Sequence, residues 1–122
     1  MITGAHVLFY SQNPEADRAF FRDILQFQAV DAGRGWLIFK LPPAEAALHP
    51  ADGALKPGQH LLPTQFYLMC DDLQSLMKSL EAKKVSCTPV AQERWGMRTT
   101  IKLPSGGELG LYQPAHPTAL NL

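Results

Sequence analysis

The tripeptide Lys-Leu-Pro occurs twice, at the ends of "WLIFKLP" and "RTTIKLP", 62 residues apart. Each copy is followed by a turn and an apolar closing run, "EAALHP" in the first half and "ELGLYQP" in the second. Each is preceded by a β-prone run that leads into an amphipathic helix, "AHVLFY" before "SQNPEADRAFFRDILQF" and "QFYLMC" before "DDLQSLMKSLEAKK". The order strand, helix, strand, strand, strand is thus written twice. The repeats are offset by 59 residues at the helices and 63 at the closing runs, and the drift falls in loops, where insertions cost little. The modules span about 2–50 and 64–114, joined by the Gly- and Pro-rich linker 51–63, and make a single domain over 1–122. A chain of this kind is α+β: two βαβββ modules form a curled mixed sheet, helices outside, with a concave cleft as the place for a ligand.

The helix signals are local. Asn13 is an N-cap ahead of Pro14 at the first helical position, with Glu15 and Asp17 in the first turn. Ala16, Phe20, Ile24 and Phe27 recur at helical spacing, which predicts a helix near Pro14–Phe27. Asp71 and Asp72 offer caps for a second helix near Leu73–Lys84, with Leu73, Leu76, Met77 and Leu80 as its stripe and Lys83 and Lys84 at its end.

Composition excludes several classes. Eleven basic residues balance eleven acidic ones, so the chain lacks the electrostatic footprint for nucleic acid or an anionic membrane. No apolar run approaches the ~20 residues of a membrane span, and the N-terminus has no secretory pattern. Cys70 and Cys87 read as buried, reduced thiols, as in a cytoplasmic protein. No P-loop, GxGxxG or Cys-x-x-Cys is present.

In "HVLFY…AFFRDIL", "FYLMCDDL", "RWGMR" and "LPSGGELGLYQP" the chain resembles the vicinal oxygen chelate superfamily, which includes glyoxalase I, bleomycin-resistance proteins and extradiol dioxygenases. The resemblance implies paired modules around a cleft. In the enzymes of that group a divalent metal is held there by His, Gln or Glu from four strands. The matching positions here are His6, Ala47, Gln65 and Gly110. Both carboxylate places have lost their oxygens, and His6 and Gln65 alone are a poor set for a divalent ion. No cofactor is therefore expected. His49, two residues beyond Ala47, and Tyr112, two beyond Gly110, share those faces by strand alternation. His6, His49 and Gln65 are the fallback set for zinc, iron or nickel; otherwise His49 lines a metal-free pocket or faces solvent.

Trp95 either closes one side of the cleft or covers a sheet edge. Arg94 and Arg98 flank it and are candidates to meet an anionic ligand. Glu108 shares the face of Gly110 and is a candidate acid or base. Trp36, Leu37 and Phe39 divide between core and cleft, while Phe9, Phe20 and Phe21 are assigned to the core. His60 and His116, in Pro-rich segments, are expected in solvent. Gln26 and Lys84 occupy the helix ends where relatives carry a glycine. Three functions compete: binding of a small organic molecule without chemistry, a metal-dependent lyase or extradiol-type dioxygenase, and an interaction subunit with a vestigial cleft. A homodimer is expected for a chain of this kind.

Overall fold

A parallel pairing between strands far apart in sequence organises the second half. The computed structural model describes residues 1–122 apart from 52, 54–57, 59 and 60. Part of the expected linker, and His60, therefore lie outside the described residues. Strands β3 (Tyr67–Met69), β4 (Ala91–Glu93), β5 (Gly96–Lys102) and β6 (Glu108–Pro114) form a sheet in the order β3-β6-β5-β4, with helix α2 (Leu73–Ala82) between β3 and β4. β6 lies parallel to β3, Tyr67 beside Gly110, and antiparallel to β5, Arg98 beside Tyr112. The first half contributes helix α1 (Pro14–Asp23) and a two-stranded antiparallel sheet of β1 (Ala29–Asp31) and β2 (Leu37–Phe39).

The helices begin as the sequence dictates. The Asn13 side chain accepts from the Ala16 N–H at 3.3 Å, and Asp72 from the Ser75 N–H at 3.1 Å. α1 ends before Ile24 and Phe27 of its apolar stripe, whereas α2 runs past Leu80 to Ala82, and each is followed by a left-handed residue that is not glycine: Gln26 at φ 60° and Lys84 at φ 64°. At α2 the Val85 N–H reaches the Leu80 carbonyl and the Lys84 N–H the Glu81 carbonyl, a Schellman cap sealed by buried Val85 and Leu80. The chain accepts a strain of about 1 kcal/mol at each cap.

Alternation then sorts the second sheet. Leu109 and Leu111 of β6, with Thr99 and Ile101 of β5, turn to one face and are buried with Leu73 and Leu80 of α2. Phe20 and Phe21 of α1 join this core, and Phe27 and Phe39 pack against it. The two halves are also stapled by a polar contact. Asp17, on the buried side of α1, accepts from the Ser105 N–H (3.0 Å), the Ser105 hydroxyl (2.6 Å) and the Ser11 hydroxyl (2.7 Å). Asp17 lies in the first turn of α1, as read from sequence, and is also the anchor of the β5–β6 turn.

Two expected strands carry no ladder. Ala5–Tyr10 and the segment around Glu45–His49 have no strand pairing. The period of two survives: Val7 and Phe9 are 38% and 43% exposed, Leu8 and Tyr10 68% and 94%. Phe9 packs edge-on against Phe66, ring centres 4.9 Å apart. The physical reason is that a strand exists only against another edge, and Pro42, Pro43 and Pro50 remove donors on either side of the second segment. Trp36 is largely exposed, with the Arg18 guanidinium 4.6 Å over its ring.

Candidate functional site

The face of the second sheet turned away from the core carries the polar and aromatic residues. Paired residues share a face, so Arg98 and Tyr112, Thr100 and Gly110, and Lys102 and Glu108 lie together there. Tyr67, in register with Gly110, joins them. The space beside Gly110 is occupied. A side chain built there would run into the Tyr67 ring, with Cε1 at 2.7 Å and the Phe66 carbonyl oxygen at 3.1 Å. The missing side chain does not open a pocket; it seats an aromatic ring.

Around that ring the aromatics continue. Tyr67 and Tyr112 meet at 5.9 Å, and Tyr112 and Trp95 at 5.1 Å, both edge-on. Such pairs add about 0.5–1.5 kcal/mol each beyond area burial. Tyr112 is only 8% exposed, while Trp95 keeps 40% of its surface in solvent. The Tyr112 hydroxyl donates to the Trp95 carbonyl at 3.1 Å. Burial, and then the negative charge of Glu45, push the Tyr112 phenol up, so it remains a donor. Trp95 thus closes one side of the aromatic face. Gly96 beside it has φ +151°, and a Cβ there would strike the Gln113 carbonyl, so the turn that presents Trp95 needs glycine.

One charge on this face is paired internally, while Lys102 and Glu108 are exposed. Arg98 donates through Nε and Nη2 to one oxygen of Glu93, at 3.3 and 3.1 Å. Both partners are part-exposed, and the pair contributes under about 1 kcal/mol. Burial raises both thiols, Cys70 and Cys87, which keeps them protonated and unreactive.

The positions singled out from sequence are spread out. His6, Ala47, His49, Gln65 and Glu108 are exposed. His49 Nδ1 lies 2.9 Å from the Pro50 carbonyl oxygen, and the Gln65 amide oxygen lies 3.4 Å from the Tyr67 hydroxyl. Among the described residues, no three His, Cys, Asp or Glu side chains are placed to hold a metal ion. The divalent ion implied by the resemblance does not fit the donors present, because Ala47 and Gly110 offer no oxygen and an aromatic ring fills the second of those places.

Two participants were not legible in advance. Tyr67 could be found only through its register with Gly110. His116, expected in solvent, is half-buried, its ring 5.8 Å from that of Tyr112. It faces Glu45, which sequence reading passed over.

Comparison with solved structures defines the class of fold. The chain superposes on lactoylglutathione lyase from Agrobacterium tumefaciens with a TM-score of 0.62 at 18% identity, covering 91% of this chain and 92% of that one. It matches TnmS3, an antibiotic-binding protein from Streptomyces sp. CB03234, with a TM-score of 0.62 at 18% identity, over 94% and 99% of the two chains. A glyoxylase/bleomycin resistance protein/dioxygenase domain from Frankia sp. EAN1pec gives a TM-score of 0.57 at 16% identity, over 99% and 98%. The chain has the α+β glyoxalase/bleomycin-resistance-like fold shared by these proteins. No family model and no curated protein sequence matches it.

Proposed function

We propose that the chain binds a small organic molecule at the cleft face of its second sheet and does so without a metal. The observation that carries this reading is the Tyr67 ring seated against Gly110, where a metal-binding carboxylate would stand in an enzyme of this fold. An aromatic wall of Tyr67, Tyr112 and Trp95 offers stacking surface in place of charge. The likeness to an antibiotic-binding protein supports the same reading.

The test is a thermal-melt panel of planar aromatic antibiotics, run beside zinc, iron and nickel salts. A binder at a hundredfold excess over its Kd should stabilise the protein by about 2.7 kcal/mol, and Tyr112→Ala should weaken binding at least tenfold. The metals alone should shift wild type little. A large metal-dependent rise in Tm that is lost on His49→Ala would instead establish a metal site built on His6, His49 and Gln65.

The binding protein is a homodimer in this proposal. Its accessible surface is 9943 Å² for 13.5 kDa, about half as much again as the roughly 6,500 Å² of a folded monomer that size. Exposed apolar residues of unpaired segments include Ile2, Leu8, Tyr10 and Leu48. An obligate dimer interface buries about 2,000–5,000 Å² in total, or about 1,000–2,500 Å² per chain, so a second copy covers part of this surplus. Sedimentation should give twice the chain mass down to low micromolar concentration; a monomer throughout would refute the dimer.

A further inference from the structure

Residues 115–122 leave β6 and cross from the second half of the molecule to the first. The segment is tied at both ends. The Ala115 N–H donates to the Trp95 carbonyl at 2.9 Å. Four residues on, the Ala119 N–H donates to Glu45 Oε1 at 2.8 Å. Between these ties the His116 ring lies against Tyr112, tilted 34°, and it is one of the groups that leave Tyr112 so little exposed. We propose that this segment is a strap, latched by Glu45, that covers Tyr112 and lifts to admit a ligand to the aromatic face.

The latch has its own chemistry. His116 Nδ1 lies 2.7 Å from the Pro117 carbonyl oxygen, so Nδ1 carries a proton. In the neutral ring Nε2 is then a lone pair, and it faces Glu45 Oε2 at 3.9 Å. Two acceptors aimed at each other do not attract. A proton on Nε2 turns the same contact into a charge-assisted pair. The strap is therefore held by the Ala119 tie alone when the ring is neutral and by two ties when it is charged. Protonation closes it, and loss of that proton loosens it. The titratable groups facing the imidazole are Glu45, from the segment after β2, and Tyr112, from β6. Trp95, from the β4–β5 turn, brings none, and Arg98, beside Tyr112 in register, is held by Glu93.

The role as a gate rests on the cleft reading above; the latch itself does not. A Trp36→Phe background leaves Trp95 as the only indole, since the chain has two tryptophans. Acrylamide quenching of Trp95 then reports the strap without any ligand. From about pH 5.5 to 8.5 the quenching constant should rise at least twofold in this background. Glu45→Ala, which removes both ties, should give the high value at both ends of the range, and Ala119→Pro, which removes the donating N–H but leaves the charged pair, should raise the quenching constant and keep its pH dependence. His116→Gln should abolish the pH dependence. Circular dichroism checks that each variant is folded, and any one that is not leaves the remaining two to decide. Quenching in the folded latch variants equal to that of the parent, or a pH response that survives His116→Gln, overturns the proposal. A responsive Trp95 with no binder in the antibiotic panel keeps the latch and removes the cleft reading. A binder with an unresponsive Trp95 does the reverse.

Discussion

Gly110→Ala is expected to lower stability by about 2 kcal/mol, within the range for overpacking a filled site. Elsewhere in a strand the change would help slightly, because alanine loses less backbone entropy than glycine. Here the new methyl group meets ring atoms of Tyr67, and the Phe66 carbonyl leaves it no room to slide. Tyr67→Ala in the same chain should recover most of the loss that Gly110→Ala adds, giving a coupling of 1 kcal/mol or so in a double-mutant cycle read by urea denaturation. Additive losses would mean that the ring does not set the size of this residue. Gly110→Glu should cost more, because it also buries a carboxylate without a partner. Burial raises the folded-state pKa of that carboxylate above its unfolded value. The native state then binds the proton more tightly, so the penalty should be smallest in acid and grow as pH rises through the unfolded value. Melts near pH 4 and pH 7 would show it, and zinc should not rescue the variant.

Asp17→Ala should be the more damaging change, at about 3 kcal/mol. It deletes an acceptor for three donors, and hydrogen bonds to a charged group are worth roughly 1.5–3 kcal/mol each before non-additivity is counted. The Ser105 N–H is left part-buried without its partner. Asp17→Asn keeps one oxygen and should lose about half as much. The measurement is urea unfolding, with Ser105→Ala as the control. If Asp17→Ala and Ser105→Ala cost the same, and the double variant no more, the staple acts as one unit. A loss below about 1 kcal/mol for Asp17→Ala would show that α1 holds the β5–β6 turn by apolar packing alone.

What could be read in advance, and what could not, divides by distance along the chain. Asn13, Pro14 and Asp72 act within one helical turn, so their roles are legible from a few neighbouring letters. Strand alternation placed Tyr112, Glu108 and Gly110 on one face, and the β5–β6 register agrees. The emptiness at Gly110 was also legible, but its occupant was not, because Tyr67 reaches it across a parallel ladder whose register no local pattern records. Asp17 with Ser105, and Glu45 with Ala119, are contacts over 88 and 74 residues. An acid in a first helical turn looks the same whether it complements a dipole or anchors a distant loop. The unpaired Ala5–Tyr10 segment fails for the opposite reason: its letters describe a strand, but pairing needs an edge to meet.

Strand β6 lies between β3 and β5, one neighbour parallel and the other antiparallel, and it is the latest-made strand of its sheet. Vectorial synthesis therefore delivers every other strand before the one that joins them. At about 5–20 residues per second, β3 waits several seconds for its partner, with Phe66 and Leu68 uncovered. Helices α1 and α2 meet the same delay, since the core against which they dock includes Leu109 and Leu111. Closure is a long-range event of the slow kind, and it waits for the last strand of this sheet to be made. A chain stopped before Glu108 would not be a weaker version of this protein, for it would lack the strand on which both the sheet and the core close.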